Sequence, residues 1–140
     1  MLGEWVEVKN ICTESISFSS MTLNHTLFDS RCQSTNRTEN YWSGGPEQLL
    51  PGQVIRVHTG KLSDKHLTAE ADRAGVDWHG YANRDNFVLN NCCGDRIYVT
   101  WPDANGRAAS DVTYYRPNPP EGVVLRRRGE VLEPVSAAAR

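Results

Sequence analysis

The chain has 140 residues, of which 39% are hydrophobic and 23% charged, and this fits one globular domain with a core of its own. Its formal net charge of −2 at pH 7 is not typical of a protein that binds nucleic acid or an anionic membrane surface through its overall charge. No apolar run approaches the roughly 20 residues of a membrane-spanning helix. We therefore expect no membrane insertion, and we do not expect nucleic acid as a partner.

The first segments alternate between apolar and polar residues. This period of two, typical of a β-strand, occurs in EWVEVKN (4–10) and in SISFSSMTL (15–23), where it slips once at Ser19 and Ser20. Both segments are therefore predicted to form strands with one buried face. The residues predicted to share that face are Val6, Val8, Ile16, Phe18, Met21 and Leu23.

The next segment lacks such a period. From Asn24 to Glu47 the chain is rich in Thr, Ser, Asn, Arg and Gly, so we predict a long loop insertion over 24–47. A Pro-Gly turn then precedes the strand QVIRVH, with Ile55 and Val57 on its buried face. Residues 61–84 are polar, with one short helix predicted between Thr68 as N-cap and Gly75 as its end.

The second half of the chain returns to strand patterns. The stretch DNFVLNNCCGDRIYVTWPDANG (85–106) alternates, breaks at two adjacent cysteines, and alternates again. DVTYY and GVVLRRRGEVLEP add further strands. The last residues, 135–140, are predicted to form a flexible tail.

Six to eight short strands with almost no helix predict an all-β domain, either a β-sandwich or a barrel. We assign residues 3–134 to this single domain. Its core is predicted to consist mainly of Val6, Val8, Ile16, Phe18, Leu23, Ile55, Val57, Phe87, Leu89, Ile97 and Val99.

The order of these segments resembles a known family. GEWVEVKN, SISFSSMTL, LPGQVIRVHTG and NFVLNN…GDRIYVTWPDANGRAASDVTYY follow one another over about residues 3–115. This succession is similar to the lamin tail domain, found at the ends of nuclear lamins and in many bacterial proteins. The RVHTG block and the Asn-Asn…Gly-Asp turn are its most specific parts. The resemblance implies an immunoglobulin-like β-sandwich of the lamin-tail type, here with long loop insertions.

The chain departs from that family at three places. Met21 stands where the family usually has Trp, and Leu89 stands where an aromatic residue often precedes the Asn pair. Two cysteines widen the turn after Asn91. These departures concern surface properties more than the fold itself.

The four cysteines leave three alternatives. A disulfide between Cys92 and Cys93 would close a tiny strained ring, so disulfides would join Cys12 and Cys32 each to one member of that pair. In a reducing compartment all four are free thiols. A zinc site is the third alternative, although an adjacent pair chelates poorly.

No pattern of catalytic residues stands out. The four histidines are scattered, and the sequence contains no nucleophile elbow, phosphate-binding loop or paired carboxylates. We therefore predict a protein that is not an enzyme and has no catalytic residue, metal or cofactor. An enzyme with a site in the long loops is the least favoured alternative.

Aromatic residues in polar loops indicate a partner surface, because loops carry function on such scaffolds and aromatic side chains dominate hot spots. The alternative is that these rings fold back and cap the sandwich. Arginines in the last strand would contact phosphate or an acidic partner, or else charge an edge strand against pairing with another sheet. The predicted partner-binding residues are Tyr41, Trp42, Trp78, Tyr81, Arg126 and Arg128.

These observations favour a non-catalytic protein-interaction or structural module with a protein partner. One setting is a larger assembly, such as a virion decoration or tail protein. The alternative is a secreted or cell-surface adhesion module of a bacterial protein. The start MLGEWVEV does not look like a signal peptide. We therefore expect either synthesis in the cytosol or a mature secreted domain whose leader was removed.

Overall fold

The structure, a computed structural model, describes residues 2–103 and 105–134. In these ranges the chain forms β-strands and short 3₁₀ helices, so the predicted all-β class is confirmed. The tail predicted at 135–140 lies outside the described residues. The strands are β1 (Trp5–Lys9), β2 (Ile16–Ser17), β3 (Thr22–Phe28), β4 (Ser34–Ser43), β5 (Gln48–Leu49), β6 (Val54–His58), β7 (Trp78–Tyr81), β8 (Asp95–Pro102), β9 (Ala108–Tyr115), β10 (Leu125–Arg128) and β11 (Val131–Pro134).

The strands form two main sheets and a small ribbon. A six-stranded sheet has the order β10–β11–β9–β8–β3–β4, and a three-stranded sheet has the order β1–β6–β7. The ribbon pairs β2 with β5. Neighbouring strands run antiparallel, except that β11 is parallel to β9 and β7 is parallel to β6.

The core lies between the two main sheets. Because side chains alternate along a strand, each sheet turns one row of apolar residues toward the other, which gives a sandwich-like arrangement. Val6, Val8, Ile16, Leu89 and Val99 are partly buried against this core. The buried cluster comprises Phe18, Met21, Leu23, Tyr41, Trp42, Leu49, Ile55, Val57, Ile97 and Tyr115.

The segment 24–47 differs from the predicted irregular insertion. It holds most of β3 and all of β4, which pair as an antiparallel hairpin. The pairing register shifts between Leu23 and Asn24 and again between Thr26 and Phe28. Such breaks in the pairing re-aim the side chains that follow, so a period of two is absent from the sequence although the strands are present.

The segment around Phe87 also differs from its prediction, because it forms no strand. The carboxylate of Glu4 accepts hydrogen bonds from the amides of Val88 and Leu89, at 3.1 and 3.0 Å. The Glu4 side chain thus takes the place of the backbone hydrogen bonds that a neighbouring strand would form. Phe87 is 69% exposed and does not belong to the core.

In place of the predicted helix between Thr68 and Gly75, the chain forms 3₁₀ helices at Leu62–Leu67 and Glu70–Asp72. Thr68 ends the first of these instead of starting an α-helix. The guanidinium of Arg56 donates to the carbonyl oxygens of Ala71 and Ala74, at 3.0 and 3.1 Å. Those oxygens therefore bind a side chain and not the amides of a continuing helix.

Candidate functional site

The outer face of the six-stranded sheet presents polar and aromatic side chains to solvent. On β8, Ile97 points into the core, whereas Arg96 and Tyr98 on either side of it point outward. On β9, Tyr114 lies directly opposite Arg96 in the register. The alternation that builds the core thus also places arginine and tyrosine side by side on the outer face.

A groove of about 460 Å³ crosses this outer face from β4 over β3 and β8 to β9. Thr26 and Thr38, which pair across β3 and β4, are among its lining residues. We call it the arginine groove, because three arginines line it together with three aromatic rings. The arginines are Arg37, Arg96 and Arg116, and the rings belong to Phe28, Tyr98 and Tyr114.

The guanidinium groups of the arginine groove are only lightly neutralised. Arg116 lies 3.8 Å from the carboxylate of Glu133 in an exposed pair. Among residues 2–103 and 105–134, no carboxylate oxygen lies within 4.0 Å of the Arg37 or Arg96 side-chain nitrogens. Arg96 instead lies over the ring of Tyr114, 5.8 Å from its centroid. Two positive charges therefore remain available to an anionic ligand.

Beneath the groove lies a buried polar network. Asp95 is 2% exposed and lies 2.9 Å from Nδ1 of His25. It also accepts the amide of Asn90 at 2.9 Å, and the carbonyl of Asn90 accepts the hydroxyl of Tyr115 at 2.9 Å. Burial raises the pKa of Tyr115, so its hydroxyl remains a donor. The network fixes the loop before β8 to the sheet.

The pKa of His25 reflects two opposing effects. Burial lowers it, but the hydrogen bonds and charges of Asp95 and Glu39 raise it more, so it lies above the ordinary value of 6.5. Glu39 lies 3.5 Å from Nε2 of His25 on the other side of the ring. The two carboxylates on either side of the imidazole therefore favour its charged form.

The outer face of the three-stranded sheet carries a second polar cluster, of which His58 is the fully buried centre. Its Nδ1 lies 2.7 Å from the carbonyl oxygen of Leu2, and its Nε2 lies 2.8 Å from Nδ1 of His79. Burial lowers the pKa of both histidines. The neutral imidazoles connect β6 with β7 and with Leu2, and their role here is structural.

The structure buries the two aromatic residues predicted at 41 and 42. Tyr41 is 4% and Trp42 is 7% exposed. Trp42 pairs with Leu23 while Asn40 pairs with Asn24, so Tyr41 is the extra residue of a bulge. The bulge turns both adjacent rings into the core, and the alternative that they cap the sandwich describes them correctly. They are not available as contacts on the surface of the folded domain.

Trp78 and Tyr81 lie at the two ends of β7 on opposite faces of the sheet. Trp78 packs edge-on against Phe18 in the core, with ring centroids 5.6 Å apart. Tyr81 stacks on His58 at 5.2 Å on the outer face. Both are half-buried, and a role in partner binding stays a prediction for each.

Arg126 and Arg128 are exposed on β10, which is an edge strand of the six-stranded sheet. Arg126 pairs in register with Glu133, and Arg128 lies 3.6 Å from the carboxylate of Glu133. Arg127 forms an ion pair with Asp111. These arginines do not lie beside the aromatic residues that were predicted to bind the same partner. Their contact with a partner stays a prediction.

The four cysteines form one disulfide. Cys32 is bonded to Cys93, whereas Cys12 and Cys92 are free and exposed. The second expected bond, between Cys12 and Cys92, is therefore absent. Cys12 follows the end of β1, and Cys92 lies in the loop before β8.

The residues of the arginine groove were not among the predicted site residues. The pattern in DRIYVTW could have revealed Arg96 and Tyr98, because they alternate with the core residues Ile97 and Val99. Arg37 could not be assigned to a face, because it lies in the segment predicted to be a loop.

The described residues contain no group of three or more His, Cys, Asp or Glu side chains placed to hold a metal ion. In the same part of the chain, no helix has the length and apolar composition needed to cross a membrane. No family model and no curated protein matches the sequence.

Proposed function

We propose that this chain is a non-catalytic protein-interaction module that binds its partner at the arginine groove. The observation that carries the proposal is the pair of exposed arginines, Arg37 and Arg96, which lie beside half-buried rings and have no carboxylate oxygen within 4.0 Å among the described residues. Arginine and tyrosine are enriched in the hot spots of protein interfaces. The groove residues that suit recognition carry guanidinium, amide and hydroxyl groups, and the one carboxylate residue among the described lining residues, Asp95, is buried against His25.

The proposal includes an immunoglobulin-like β-sandwich of the lamin-tail type. Its support is the order of the segments that resemble that family, together with two packed sheets. The RVHTG block, the most specific part of the resemblance, lies at the end of β6. There His58 binds the carbonyl of Leu2, and Thr59 donates to the carboxylate of Glu4. The block thus anchors the start of the chain.

A photo-crosslinking experiment tests the proposed surface. A benzophenone amino acid replaces the exposed Thr38 in the groove and, as a matched control, Arg107 in the turn between β8 and β9. In the native cells, position 38 should give a defined protein adduct that Arg96→Glu abolishes, and position 107 should not. Equal adducts from both positions, or none from position 38, would contradict the proposal.

A second candidate is an adhesion module that acts outside the cell. The disulfide between Cys32 and Cys93 favours it, because such bonds persist in oxidising environments, which include cell and virion surfaces. Non-reducing peptide mapping of protein from its native source tests this candidate. The linked peptide is expected, and reduced Cys32 and Cys93 in native protein would exclude an extracellular role.

A further inference from the structure

We infer that the arginine groove takes an extended, carboxylate-bearing segment of the partner protein. This inference rests on the proposed function and adds the chemical class of the ligand. Guanidinium groups match carboxylates with paired hydrogen bonds, and Arg37 and Arg96 have no such partner among the described residues. An acidic segment would supply the missing charges.

The rings of the groove favour a peptide over a simple anion. Tyr98 and Tyr114 are half-buried, so each exposes part of a flat apolar surface beside an arginine. Apolar side chains between the carboxylates of an extended segment would cover these surfaces. The position of Arg96 over the Tyr114 ring also restrains the guanidinium before binding, which reduces the entropy lost on complex formation.

The margin formed by β4 suits the main chain of such a segment. Ser34, Asn36 and Thr38 place hydroxyl and amide groups along this side of the groove. These groups can both donate and accept hydrogen bonds, as the peptide units of an extended chain require. A peptide can therefore form hydrogen bonds with this side of the groove through its main chain and pair with the arginines through its carboxylates.

The overall charge favours a short acidic segment over a long polyanion. The chain has 17 acidic residues against 15 Lys and Arg, so a nucleic acid would gain no long-range attraction and would be repelled outside the groove. A segment confined to the groove would meet only the local positive charge. The recognition is thus local, and it weakens as salt screens the exposed arginines.

Fluorescence anisotropy with defined probes tests the ligand class, using the full chain with its disulfide intact. Three labelled peptides of equal length alternate Val with Glu, with Gln or with Lys, and a fourth probe is a single-stranded oligonucleotide of equal charge to the Glu peptide. The Glu peptide should bind roughly tenfold or more tightly than the other three, and its binding should weaken with added salt.

Charge reversal locates the binding. Arg37→Glu and Arg96→Glu should each weaken binding of the Glu peptide by about tenfold. Arg107→Glu, an exposed control with the same change of charge at the other end of β8 and β9, should leave it within about twofold. Melting curves of all three variants establish that each is folded.

Equal binding of the Glu and Gln peptides, tighter binding of the oligonucleotide, or no binding of the Glu peptide would overturn the acidic-segment inference. An equal loss in the Arg107 variant would overturn the location. The crosslinking experiment decides the proposed function separately. A groove adduct without binding of the Glu peptide would leave the interaction surface intact and reject only the ligand class.

Discussion

His25 on β3 and Asp95 at the start of β8 form a buried hydrogen-bonded pair, with 2.9 Å between Nδ1 and Oδ2. Asp95 also accepts the amides of Asn90 and Arg96, at 2.9 and 2.8 Å. The pair therefore connects two strands of the six-stranded sheet to the loop that carries Cys93. Stability of the groove floor should depend on the charge of His25.

The first prediction is that His25 makes stability depend on pH. Its pKa in the folded state lies above the ordinary 6.5, so the folded protein binds a proton that the unfolded chain has already released. The stabilisation is fully present below 6.5 and is lost as the pH rises through the folded-state pKa. Urea denaturation at pH values on both sides of that range measures it.

The control for this prediction uses other histidines. His25→Gln should remove the alkaline loss, whereas His66→Gln, at an exposed position, should keep it. Burial lowers the pKa values of His58 and His79 below 6.5, so their stabilisation has the opposite sign and is lost as the pH falls. An unchanged alkaline slope in His25→Gln would contradict the assignment to His25.

The second prediction concerns the two adjacent rings in the core. Tyr41→Ala together with Trp42→Ala should lower the free energy of unfolding by at least about 3–5 kcal/mol, as large-to-small core changes do. Phe87→Ala should change it by less than about 0.5 kcal/mol, because this ring is mostly exposed. Urea denaturation measures the loss of stability in the double variant and in Phe87→Ala. A larger loss in Phe87→Ala would restore the surface role predicted for Tyr41 and Trp42.

The third prediction concerns the disulfide. Cys32 and Cys93 are 61 positions apart, and closing a loop of this size stabilises the folded state by roughly 4 kcal/mol in the chain-entropy model. Cys32→Ser should therefore lower the free energy of unfolding under oxidising conditions. Cys92→Ser, which removes an exposed free thiol, should not. Equal losses in both variants would indicate that Cys92 takes part in the bond.

The fourth prediction concerns the glycine before Asp95. Gly94 has φ +71°, and an added Cβ would lie 2.3 Å from the carbonyl oxygen of Tyr115. Gly52 also has positive φ, but no atom lies within 4 Å of its added Cβ. Gly52→Ala should cost about 1–2 kcal/mol from the backbone alone. Gly94→Ala should cost clearly more, and equal melting temperatures for the two would refute the close contact.

Several parts of the fold followed from local pattern. Val57 and Ile97 were predicted to be buried because each lies in a regular alternation, and both lie in the core. Alternation is informative there because these strands have one face toward the opposite sheet and one away from it. It failed at β4, where a bulge breaks the period, and at Phe87, where a side chain replaces a neighbouring strand.

The sequence by itself determined the all-β class and much of the core, since both depend on the spacing of apolar residues along single strands. Only the tertiary structure decided that Arg37 meets Arg96 in one groove and that Tyr41 turns inward. It also decided that Cys32 bonds to Cys93 and not to Cys92. Each of these outcomes depends on which strands become neighbours and in which register, and the free energy that selects neighbours comes from contacts between distant segments.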